Sequence, residues 1–183
     1  MEDQARKYNK TMISITSVIG NLYRDPTLTN RYQEMSSRSL TESIRISRME
    51  AQRIRMRKKS NKGTDIALTL PLGTKLRHGD VIMLSNDRMI TIELEPENVI
   101  VVQVKDNIPE DHLIEVPVRI GHAIGNLHRP IKLEGKKIFF PIQTDQEIEM
   151  FKKIFGSILD HLEISNAKIV FEPEEGTMDV HEH

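Results

Sequence analysis

The hydrophobic period of this chain changes once, near Pro96, and that change limits the folds open to it. Ahead of Pro96 the apolar residues alternate with polar ones: Ile13 and Ile15, Ile44 and Ile46, then Ile66, Leu68 and Leu70, then Ile90, Ile92 and Leu94. A period of two puts one face of a strand in a core and the other in water. Turn signals separate the runs at Asn61-Lys62-Gly63, Leu72-Gly73, His78-Gly79-Asp80 and Asn86-Asp87. Residues 11–97 therefore read as an all-β domain, a small barrel or sandwich built from hairpins. The ten residues before it are polar and without period, as expected of a loose tail.

Beyond Pro96 the pattern is mixed. Residues 99–102 form a continuous apolar run, the signature of a strand covered on both faces. Residues 109–128 have helical spacing, with Leu113, Val116, Ile120, Ile124 and Leu127 near one stripe and Asn107 as a cap. Pro117 breaks that helix, kinks it, or marks its true first turn. Residues 131–133 and 137–140 flank Glu134-Gly135 as a hairpin. A second amphipathic helix is expected over 144–162, where Thr144 and Glu147 have capping-box spacing. A last strand falls at 167–171. The order β-α-β-β-α-β is that of a split, ferredoxin-like unit over residues 98–172. The expected fold class is thus α+β: an all-β domain, a ferredoxin-like domain, and a short acidic, His-containing tail at 173–183.

With 183 residues the chain is long enough for one large domain or two small ones. It has 26 basic and 27 acidic side chains, which argues against a protein that wraps nucleic acid. The balance is uneven. Through Lys62 there are 14 basic against 6 acidic residues, a local net of +8, and from Gly63 the net is −9. Two regions with different partners, or in mutual contact, would explain the split, as would solubility alone. Arg53, Arg55, Arg57 and Lys59 would line one strand face, but no aromatic residues interleave to stack bases. A solvated or protein-facing strand is the better reading. There are no cysteines, which excludes disulfides, thiolate metal sites and Cys nucleophiles. No apolar run long enough for a membrane span, no signal-peptide segment and no lipidation motif is evident, so the expected address is the cytoplasm.

Any metal must then be held by nitrogen and oxygen, chiefly by the histidines His78, His112, His122, His128, His161, His181 and His183. No zinc-protease helix, serine elbow or phosphate-cradling loop appears. Two features stand out. His128 follows Gly125-Asn126 just past the expected helix end; a histidine there is more often a cap or a packing residue than a ligand. His181 and His183 form a His-x-His pair whose rings would point the same way in an extended chain, roughly 6–7 Å apart. His122 and His128 lie about 120° apart on an ideal helix and do not share a face. His78, His112 and His161 read as surface or capping residues.

Three stretches, in order, resemble the urease accessory protein E (UreE) family of nickel metallochaperones. Leu70-Pro71-Leu72-Gly73-Thr74-Lys75-Leu76-Arg77-His78-Gly79-Asp80 is similar to the family's L-P-x-G-T-x-L-x-x-G-D segment. Ile124-Gly125-Asn126-Leu127-His128-Arg129-Pro130 resembles its L-G-N-R-H-x-P motif, with Leu127 in place of the Arg. Phe171-Glu172-Pro173-Glu174-Glu175-Gly176 resembles the F-x-P-E-x-G ahead of a His-bearing tail. The resemblance implies a peptide- or partner-binding first domain and a metal-binding, homodimer-forming second domain. It implies that His128 lies near the dimer axis, supplemented by His181 and His183. The cargo would be Ni2+, with Zn2+ or Cu2+ able to substitute in vitro, since neutral imidazole suits all three. The implied partners are a urease accessory GTPase and the apo-urease complex, with no nucleic acid and no membrane, and the implied role is not enzymatic. Two other functions compete: a His-based metal hydrolase with an open coordination position, and a metal-blind interaction module.

Overall fold

The computed structural model describes residues 12–173, which fall into two compact units, one ending at Glu95 and the other beginning at Pro96. Both mix sheets with few helices, an α+β fold. None of the described helices is long and apolar enough to cross a membrane.

The first unit contains two sheets. Strands β1 (Ile13–Ile15), β5 (Asp65–Thr69) and β4 (Arg55–Lys59) lie in the order β1-β5-β4, with β1 parallel and β4 antiparallel to β5. Strands β2 (Gly20–Asn21), β6 (Asp80–Leu84), β7 (Met89–Leu94) and β3 (Thr41–Ile46) form the other, in the order β2-β6-β7-β3. There β3 runs parallel to β7, so hairpins do not build the whole unit. The alternating isoleucines and leucines are the core: Ile44, Ile46, Ile66, Ile90 and Ile92 are fully buried and Leu68 nearly so.

This unit is not all-β. Helix α1 (Pro26–Ser37) stands between β2 and β3. Asp25 caps it by accepting from the Thr27 and Leu28 amides at 2.8 and 3.4 Å, and Pro26 opens it where no backbone donor is missed. Only Leu28 and Met35 bury fully, with Tyr32 partly buried between them, against Leu22, Val81 and Met89. Three apolar positions in a helix whose other residues, apart from Pro26, are polar or charged make a thin stripe, which is why alternation elsewhere overshadowed it.

The second unit follows the chain order β8 (Glu97–Val104), α2 (Glu115–Asn126), β9 (Lys132–Glu134), β10 (Lys137–Pro141), α3 (Gln146–Ile154) and β11 (Leu162–Ile169). Its sheet order is β11-β8-β10-β9 and every pairing is antiparallel, the split β-α-β topology. Both helices are shorter than their periodicity suggested. Residues Glu110–His112 form a separate 3-10 turn, and Pro117 sits in the first turn of α2, where its missing donor is harmless. At the far end of α3, Gly156 follows the cap and the chain continues as a 3-10 turn, Gly156–His161. Glu147 does reach back to the amides of Gln143 and Thr144, at 2.8 and 3.2 Å.

Strand β8 is buried on both faces. Ile100 and Val102 meet Val116, Ile120, Ile124, Phe151 and Phe155 under the helices. Val99 and Val101 face the other way and are covered by Phe171, with Phe139, Ala167 and Ile169 around it.

Candidate functional site

Each of the three sequence stretches has a distinct structural role. In the first, Leu70 and Leu76 are buried, and Gly73 and Gly79 adopt φ of 81° and 82°, a region open to glycine at little strain. Asp80 is 5% exposed and accepts from the Asn21 side-chain amide at 2.9 Å and the Arg77 backbone at 2.7 Å. A Cβ on Gly79 would lie 2.5 Å from the Tyr23 ring, which stacks on His78. His78 itself accepts from the Leu94 amide at 3.1 Å. This stretch builds a loop. The third stretch supplies Phe171, which covers the outer face of β8.

The second stretch builds a site. Helix α2 ends at Asn126 with Leu127 as its cap, and His128 follows with φ of 49°. The His128 amide donates to Gly125 at 2.9 Å and the Arg129 amide to Ile124 at 3.3 Å. Those two bonds are a Schellman closure, whose left-handed position is usually glycine. A left-handed L-residue costs about 1–2 kcal/mol. Here that position holds an exposed histidine. Such strain at an exposed imidazole, a side chain able to bind metal, points to a use for it.

The turn is held from beyond. Arg129 donates to the Glu147 carboxylate at 2.6 Å, and both side chains are partly buried. Glu147 in turn accepts from the amides at the start of α3, so one carboxylate ties the His128 turn to the next helix. Sequence reading missed this pair, which is eighteen residues apart, because neither residue alone carries a spacing signal. Leu127, where the family motif has Arg, is partly exposed at 38%.

One face of α2 leads to this histidine. Ile114, which caps the helix, is 78% exposed and Val118 is 62% exposed; Gly121 and Gly125 follow on the same side. A Cβ added to either glycine would meet nothing within 4 Å. An uncharged stripe with two bare backbone patches thus runs along the helix to His128, while Val116, Ile120 and Ile124 fill the opposite face.

The remaining histidines divide. His122 Nε2 lies 3.0 Å from the Asn126 side-chain amide. His112 and His161 stand together, with ring centres 5.1 Å apart. His181 and His183 lie outside the described residues. Among the described residues no three His, Cys, Asp or Glu side chains gather in a geometry that holds an ion. The exposed row on β4 comprises Arg55, Arg57 and Lys59, of which Arg57 is paired with Asp65.

The fold and these side chains define a two-unit α+β protein whose exposed imidazole stands at a helix end. Residues 15–95 match the family described as UreE urease accessory protein, N-terminal domain. A urease accessory protein UreE from Natronomonas pharaonis is 29% identical over 137 residues, 75% of this chain and 63% of that protein. UreE 1 of Pseudomonas syringae pv. tomato is 28% identical over 72% of this chain and 84% of its own length. UreE of Yersinia aldovae is 27% identical over 94% and 80%. The first unit thus matches the UreE N-terminal domain, and the chain is similar to urease accessory proteins UreE over most of its length.

Proposed function

We propose that this protein is a nickel metallochaperone of urease maturation, binding Ni2+ and handing it on for assembly of the urease active site. The observation that carries the reading is His128: an exposed imidazole in a left-handed turn that glycine would fill with less strain. The names of its relatives supply the urease connection. The role is that of a carrier, not an enzyme, working in the cytoplasm beside an accessory GTPase and apo-urease.

A single imidazole holds an ion poorly, and a two-fold axis doubles each ligand without a new residue. The uncharged stripe of α2 supports a homodimer: small residues let two helices approach closely, and the stripe ends at His128. Two His128 rings would then face one ion, with His181 and His183 as further ligands. Such a site has only neutral nitrogen donors, so it is open and labile compared with closed thiolate cages. The ion leaves when a partner offers better ligands, or when imidazoles take up protons as pH falls. Cu2+ would bind most tightly in vitro, with Ni2+ and Zn2+ below it.

Calorimetric titration of the intact protein with Ni2+ tests this, together with its mass in solution. The expected result is a dimer with a tightest site near one ion per two chains, lost in His128→Ala with the fold intact. Unchanged affinity and stoichiometry in that variant would remove His128 from the site. A strict monomer that still binds through His128 would remove the dimer. Replacing His181 and His183 with Ala should weaken binding or lower the stoichiometry, and more so at neutral pH than near pH 6.

A further inference from the structure

We infer that His112 and His161 form a second seat for a borderline divalent cation such as Ni2+ or Zn2+, at the end of α2 opposite His128. The two residues are 49 apart in sequence and meet because the turn before α2 and the turn before β11 lie side by side. Their ring centres are 5.1 Å apart with planes tilted by 34°. An ion about 2.1 Å from a ring nitrogen lies about 3.2 Å from that ring's centre. Two rings sharing an ion at ligand angles of about 90–110° therefore have centres about 4.5–5.2 Å apart. The observed spacing falls in that range.

The surroundings favour a ligand role. Glu115 Oε2 is 2.9 Å from His112 Nδ1, so that nitrogen donates to a carboxylate and Nε2 remains as the electron-pair donor. This carboxylate–imidazole arrangement is the one that orients metal-bound histidines. Glu115 is itself fixed by Arg119 at 2.6 Å. The His112 hydrogen bond, followed by that of Arg119, holds the Glu115 carboxyl below its usual range. Asp111 Oδ2 stands 3.9 Å from His112 Nε2, a side-chain rotation away from sharing the same ion. The His161 backbone is anchored by the Lys105 amide at 3.0 Å, and the Lys105 ammonium donates to the Asp160 carbonyl at 2.8 Å. Three ligands are not preassembled, so binding closes the seat: two imidazoles in place, with Asp111 turning in and water completing the shell. Helix α2 puts roughly 18 Å between this seat and His128, too far for one ion to use both.

The test uses the full chain carrying His128→Ala, His181→Ala and His183→Ala, titrated with Ni2+ alone. We expect one residual ion per chain, with affinity falling at least tenfold on further His112→Gln or His161→Gln. Glu115→Gln should weaken it about 10–100-fold. In NMR spectra of the same parent, Ni2+ should broaden the His112 and His161 ring signals ahead of those of His78 and His122. Thermal unfolding confirms that each variant is folded. A parent that binds no Ni2+, or residual binding that neither glutamine variant changes, overturns the seat. The reading at His128 is tested in the otherwise unmodified chain, so either can fail alone.

Discussion

The two units secure their chains in opposite ways. Every buried polar or charged side chain among the described residues belongs to the first: Glu42, Ser43, Ser60, Asp80 and Thr91. They join strands and loops that apolar packing alone would leave free to slip. The Ser60 hydroxyl donates to Glu42, Asn61 exchanges hydrogen bonds with the Ser43 backbone at 2.9 and 3.0 Å, and Asp80 holds the loop before β6. The core of the second unit is wholly aliphatic and aromatic, and its polar chemistry sits outside, at the two ends of α2. Satisfied buried polar groups specify one arrangement at the expense of tolerance. An apolar scaffold with histidines at its rim keeps those side chains out of the core. Under the proposed carrier role, the first design suits a surface that must be recognised, the second a site that must load and unload.

Phe151→Ala should break the second unit most severely, by about 3–5 kcal/mol, because Phe151 is fully buried with its ring 4.6 Å from that of Phe140. Chemical denaturation followed by NMR should show first-unit signals persisting past the loss. If both units melt together, their stabilities are coupled and the contrast is only one of composition. Asp80→Ala should cost about 1–3 kcal/mol, since it removes one of two acceptors from the Asn21 amide and the side-chain acceptor of the Arg77 backbone amide. A change within error in the thermal midpoint would show that the buried carboxylate does not pin the loop. His128→Gly should be neutral or stabilising by up to about 1 kcal/mol, the relief of left-handed strain offset by glycine's greater freedom when unfolded. The same variant should lose Ni2+ as fully as His128→Ala does, so its stability and its binding should move apart.

The smallest effect at neutral pH concerns Glu42. Burial pushes its carboxyl up, but hydrogen bonds from Ser60 and Thr64 and the charges of Arg88 and Lys62 outweigh that and hold it below its ordinary value. A carboxyl depressed in the folded state contributes stability above its unfolded pKa of about 4.5 and loses it as pH falls through the folded value. Acid unfolding below about pH 4.5 should therefore be shallower in Glu42→Gln, relative to its own neutral-pH stability. Parallel acid limbs in the two proteins would assign the loss to other groups.

What sequence could reveal follows from the range of each interaction. Strands declared themselves where alternation was strict, as at Ile90, Ile92 and Leu94, and the doubly covered β8 showed as an unbroken apolar run. Helix α1 was hidden because its burial rests on Leu28, Tyr32 and Met35 alone, though Asp25-Pro26 is an entry signal. The ends of α2 and α3 were overextended because 3-10 turns keep apolar residues near helical spacing. His128 was visible from its motif. Its left-handed backbone, the Arg129–Glu147 tie and the His112–His161 pair depend on tertiary contacts that no local spacing encodes.

The double covering of β8 bears on how the protein is made. This strand is the first of its sheet to leave the ribosome, and both its neighbours come later, β10 from Lys137 and β11 from Leu162. The residue that closes its second face, Phe171, emerges later still. Until then Val99, Ile100, Val101 and Val102 present two apolar faces and two unpaired edges, a segment prone to wrong pairing during synthesis. The first unit also pairs early strands with late ones, β1 with β5 and β3 with β7, but its last strand ends at Leu94, before β8 begins. Biosynthesis of the second unit is thus nearly all-or-none. Pausing or truncation before Phe171 should yield aggregates rather than a partly folded second unit.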